Sequence, residues 1–120
     1  MWHYSMPMQT KVYDIPFIEQ VWEVTRHIPY GRVSNYGAIA RALGTARSSR
    51  MVGWALKAAF DRPDVPAHRV LNRQGRLSGK MHFCPPERMQ ELLELEGIQV
   101  VNDTVAQFKE LFWDPFELLD

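Results

Sequence analysis

The chain has 120 residues, 46% of them hydrophobic and 23% charged, a size and balance that suit one globular domain spanning 1–120 and not two. No apolar run approaches the roughly 20 residues that cross a bilayer. The opening MWHYSMPMQTKVYD lacks the basic-then-apolar order of a secretory signal, so a cytoplasmic, bacterial-type protein with no membrane partner is expected. A lone cysteine, Cys84, excludes an internal disulfide, and no Cys/His cluster stands at zinc spacing, so neither metal nor other cofactor is expected.

The formal net charge of zero conceals a segregation. Between Arg26 and Lys80 stand eleven Lys and Arg against two acids, Asp61 and Asp64, a local net charge of +9 that the flanks cancel. A basic centre of this kind points to contact with nucleic acid; the alternative is a solvated basic face.

In chain order, Asp14 is expected to cap a helix that carries Pro16 in its first turn and runs to about His27. Phe17, Val21, Val24 and Ile28 form its apolar stripe. IPYG breaks it. Ser34 is expected to cap a second helix with Tyr36, Ile39, Ala40 and Leu43 on one face, closed by Gly44. After TARSS a third helix starts near Ser49, burying Val52, Ala55, Leu56 and Ala59 and ending at Asp61 to Pro63.

Two short helices joined by a tight turn, the second opening in a basic segment, read as a helix-turn-helix, with a plain two-helix packing as the alternative. On the second of these helices Arg50, Gly53, Trp54 and Lys57 fall opposite the core stripe, where two cations suit phosphates and glycine permits close backbone approach. From Pro63 to Gly79 turns and extended pieces follow, with HRVL the expected strand. CPPERMQELLELEG then reads as a helix stopped by Gly97, with Met89, Leu92, Leu93 and Glu96 on one face. A carboxylate on an apolar face requires a partner, which spacing alone does not identify. The acidic, aromatic segment 103–120 is expected to pack as a helix and an extended tail.

Four ordered blocks, IPYGRVSNYGAIARALG, SSRMVGWAL, VPAHRVLNRQGRLSG and LLELEG, resemble the C-terminal domain of the O6-alkylguanine-DNA alkyltransferases over about residues 12–100. The resemblance implies a mostly α fold with a short strand and loop segment, a winged-helix-like helix-turn-helix DNA-binding domain. In those enzymes the third block reads Pro-Cys-His-Arg and the cysteine accepts the alkyl group. Here Ala67 holds that place, with Pro66, His68 and Arg69 in register and Glu96 at the supporting glutamate. Transfer needs a thiolate, and alanine has no nucleophile.

The pattern is therefore similar to the alkyltransferase-like proteins, which keep the fold and pocket without the acceptor. That resemblance implies a non-enzymatic monomer that binds double-stranded DNA, flips O6-alkylguanine and flags it for nucleotide excision repair proteins. It assigns DNA contact to Ser34, Tyr36, Ser49, Arg50, Gly53 and Lys57. Tyr36 presses on the phosphate, and Arg50 enters the stack as a finger. The lesion pocket falls to Tyr36, Pro66, Ala67, Ser78 and Lys80, and structural support to His68, Arg69 and Glu96. Lys80 reads the base edge or stays in solvent, and Trp54 packs at the rim. Alanine at the blank position implies a wide pocket. Two other readings remain open: a helix-turn-helix regulator indifferent to lesions, and an enzyme that uses Cys84, ahead of a helix N-terminus, as its acceptor.

Overall fold

The first helix, α1, spans Asp14–Arg26 in the computed structural model, which describes residues 14–44 and 48–119. Its expected stripe is the buried one: Phe17, Val21, Val24 and Ile28 all face the core. The proposed capping by the Asp14 side chain, the extreme N-terminus and Arg47 lie outside what is described. Strand β1, Ser34–Asn35, leads directly into α2, Tyr36–Leu43, and α3 spans Ser49–Lys57. Val52, Ala55 and Leu56 of α3, with Ala59 just beyond it, bury as the periodicity requires. The Trp22 indole N–H donates to the Ala55 carbonyl at 2.8 Å and ties α1 to α3.

The N-cap of α2 is Asn35, not Ser34: the Asn35 Oδ1 accepts from Ala38 N at 2.7 Å. Ser34 is displaced from the cap because it pairs in parallel with Val70 of β2, Val70–Leu71. Its hydroxyl is fully buried and finds no partner among the described residues. Of the expected strand HRVL only Val70 and Leu71 are extended, since Ala67–Arg69 form a 3₁₀ turn. The pairing of β1 with β2 places the first turn of α2 beside that 3₁₀ turn. This contact positions the site.

Helix α4, Glu87–Leu95, begins after Pro86 and buries Met89 and Leu93. Glu96 sits at its C-cap and not on its body. The segment read as a tail from residue 103 starts inside a hairpin: β3, Val100–Val101, pairs antiparallel with β4, Thr104–Val105. Asn102 and Asp103 make its turn in left-handed conformations, at φ 52° and 59°. Helix α5, Phe108–Leu111, follows, then a 3₁₀ stretch, Pro115–Leu119.

The C-terminal segment is part of the fold. The Trp113 side chain buries in the core of α1–α3, and its backbone N–H donates to the Val33 carbonyl at 2.7 Å. Two apolar clusters result. One joins α1, α2, α3 and Trp113; the other joins Val33, Leu71, Leu77, Met89, Leu93 and the hairpin. No helix among the described residues is long and apolar enough to cross a membrane.

Candidate DNA-binding site

At the seam of the two clusters a cavity of about 260 Å3 opens to solvent. Leu56 of the first cluster and Met89 of the second both line it. The exposed face of α3 supplies Arg50, Gly53, Trp54 and Lys57, α2 supplies Tyr36, and the loops supply Ala67 and Ser78. These seven, separated by up to 42 positions in sequence, were all singled out from the sequence, and the fold brings them together.

Tyr36 is the most constrained of them. Burial pushes its phenol pKa up, opposed by a hydrogen bond with the Ser78 hydroxyl. Its oxygen presses so closely on Gly79 that a Cβ there would approach it to 2.8 Å. Gly79 was missed in the sequence, where it reads only as a turn glycine. Gly79→Ala must therefore push the Tyr36 ring out of its seat against Ser78. We expect a thermal melt close to that of the parent, a change within about 1 kcal/mol, but weaker binding of any ligand that packs on Tyr36. Binding equal to the parent would show that the seat of Tyr36 does not matter.

Arg50 and Lys57 have no ion-pair or hydrogen-bond partner among the described residues, and both are exposed. Much of the remaining central basic charge is already engaged. Arg69 pairs with Glu96, Lys80 with Asp103, and Arg26 with Glu23 and Asp64. Arg32 donates to the carbonyls of Leu111 and Phe112. The sequence excess of +9 is thus partly folded inward, which leaves the α3 cations as free charges at the cavity mouth.

Behind Ala67 lies the polar support. The Glu96 side chain is only 5% exposed. It accepts from His68 Nε2 at 2.6 Å, from Arg69 Nε at 2.9 Å and from the Gly31 backbone N–H at 2.8 Å. Burial alone would raise the carboxyl pKa, but these three donors outweigh it and hold the group below the usual range. His68 is pushed down, first by burial and then by the Arg69 and Arg88 charges, against the pull of Glu96. A neutral imidazole that donates through Nε2 keeps Nδ1 as an acceptor. Ala67 offers it no proton.

Four expected site residues lie off this cavity. Ser34 is buried and cannot reach a ligand. Lys80 is drawn to Asp103 of the hairpin at 2.6 Å and does not line the cavity. Pro66 lines an adjoining groove instead. Ser49 is exposed at the start of α3, on a shallow surface shared with Gly37 and Arg41. His82 and Phe83, which complete the cavity, carry no signal in the sequence. His82 ends a 3₁₀ turn, Lys80–His82, and Phe83 caps it; so short an element has no periodic signature.

A helix-turn-helix with a cavity at the foot of its second helix is the architecture of an alkyltransferase-type DNA-binding domain. The chain belongs to the 6-O-methylguanine DNA methyltransferase DNA-binding domain family, whose profile matches residues 16–98. It is 35% identical over 103 residues to Alkyltransferase-like protein 1 of Schizosaccharomyces pombe, covering 82% of this chain and 95% of that one. It is 32% identical to the DNA base-flipping protein of Escherichia coli, covering 92% of this chain and 84% of that one. The methyltransferase of Salmonella typhimurium is 38% identical, but the match spans only 52% of its length. Among solved structures, S. pombe Atl1 in complex with damaged DNA containing O6-carboxymethylguanine superposes with a TM-score of 0.75 at 32% identity, covering 92% of this chain and 100% of that one.

Proposed function

We propose that the protein is a non-enzymatic recognition factor that turns O6-alkylguanine out of duplex DNA into the cavity beside Ala67. The observation that carries this reading is the combination at one place of Arg50 and Lys57, without partners among the described residues, a seated Tyr36 and a methyl group where a nucleophile would stand. Lys57 and the first turn of α3 meet phosphates, and Gly53 lets the backbone near the groove. Arg50 fills the space left by the base, and Tyr36 presses on the rotated nucleotide. Extrusion costs a few kcal/mol of pairing and stacking, which an inserted side chain partly offsets. The similarity to proteins named for base flipping, and to one solved with alkylated DNA, supports it. Since the alkyl group stays on the DNA, its removal falls to other proteins. Nucleotide excision repair proteins are the partners proposed here, and the protein acts as a soluble factor on DNA.

The second reading has one observation in its favour: exposed Cys84 lines the groove that adjoins Ala67. Stoichiometric incubation with an O6-methylguanine oligonucleotide, followed by mass analysis of DNA and protein, separates the two. The proposal requires unchanged DNA and unchanged protein. A methyl gained on Cys84 and lost from the DNA would establish an enzyme.

A further inference from the structure

The cavity does not end at Ala67. A second groove, of about 400 Å3, opens beyond it and shares Leu56, Lys57, Ala67, His82 and Phe83 with the first. Pro63, Val65 and Leu92 give it an apolar wall, while Lys57, Arg62 and Arg88 contribute three cations. Among the described residues no Asp or Glu lines it. Arg62 is held in place by its guanidinium lying over the Trp22 ring, 4.7 Å from the centroid. Arg88 bonds Glu91 at 3.4 Å in an exposed pair, which binds it weakly. Its charge already acts on His68, across the groove.

We propose that this groove is a charge-selective subsite that takes the far end of a long O6 substituent and favours one ending in an anion. The inference rests on the lesion-binding reading above and adds to it a sign of charge. The methyl of Ala67 leaves the passage open, the apolar wall accommodates methylenes, and the two arginines with Lys57 meet the terminal group. An ammonium at the same depth faces three like charges with no counter-ion on the lining.

The test compares one duplex carrying O6-methyl, O6-pentyl, O6-carboxybutyl or O6-aminopentyl guanine, or plain guanine, at the same site and salt. We expect carboxybutyl to bind about three- to tenfold more tightly than pentyl, and aminopentyl more weakly by a similar factor. Added salt should narrow this spread. The double variant Arg62→Gln, Arg88→Gln should collapse the spread, with O6-methyl affinity as the reference for its fold. Ala67→Phe, which narrows the way into the groove, should likewise collapse the spread among the three long substituents. Equal affinities for the three long adducts, or a spread that survives the double variant, would overturn the subsite alone. Loss of preference for O6-methylguanine over guanine in the parent protein would instead overturn the lesion reading, and the subsite with it.

Discussion

Glu96→Ala is expected to lower the stability of the domain by about 3–5 kcal/mol, the range for removing one partner of a buried charge pair. The cost arises because Arg69, His68 and the Gly31 N–H all converge on this carboxylate. Through them Glu96 joins the loop after α1, the 3₁₀ turn at Ala67 and the end of α4. Domains of this size have only about 5–15 kcal/mol in total, so denaturant midpoints should fall steeply. The pH dependence follows from the same groups. Both Glu96 and His68 have folded pKa values below their ordinary ones, so the unfolded chain binds more protons as the solution is acidified. The stability contributed by His68 is present above its ordinary value of 6.5 and declines as pH falls below it. That of Glu96 is present above its ordinary value of 4.5 and is lost below it. Melts of the parent protein should thus weaken from neutral to acid pH, and Glu96→Ala should lose the lower part of this dependence. A variant as stable as the parent would mean that the buried network is neutral to the fold.

Arg50→Ala should reduce affinity for a lesion duplex by about 1–3 kcal/mol, typical of a specific groove contact, and suppress base extrusion. The fluorescence of 2-aminopurine placed beside the lesion reports the second effect. Lys57→Ala should behave otherwise. It should weaken binding to all duplexes, reduce the salt slope by about one unit and leave the fluorescence change at saturation intact. The two cations share a helix face and an unpaired state, so their net charge does not distinguish them. Only the position of Arg50, about two turns closer to the start of α3, does. Full extrusion by Arg50→Ala at saturation would reduce Arg50 to an ordinary phosphate contact.

The helices were legible because burial imposes a 3.6-residue period on them, as the stripes of α1 and α3 record. What the sequence hid was set by distant contacts. Ser34 and Asn35 are both competent caps, and only the pairing of Ser34 with Val70, 36 positions on, decides between them. Lys80 left the expected pocket for Asp103, in a hairpin whose Asn-Asp turn was a local signal overlooked because its strands are two residues long. Glu96 could be marked as needing a partner, but its donors stand 27, 28 and 65 positions away. Helical spacing put Arg50, Gly53 and Lys57 on one face of α3, whereas Tyr36, Ala67 and Ser78 were named through family resemblance, since no periodicity links those three to α3 or to one another; the fold sets all six around one cavity.

The protein is proposed to recognise alkylated guanine without chemistry at Ala67. The most direct test is an equilibrium titration of one duplex carrying either guanine or O6-methylguanine at a single position, at one fixed salt concentration. The methylated duplex should bind more tightly by at least about tenfold, equivalent to about 1.4 kcal/mol. Equal affinity for the two duplexes would contradict this recognition and leave a basic helix-turn-helix that binds DNA without regard to the lesion.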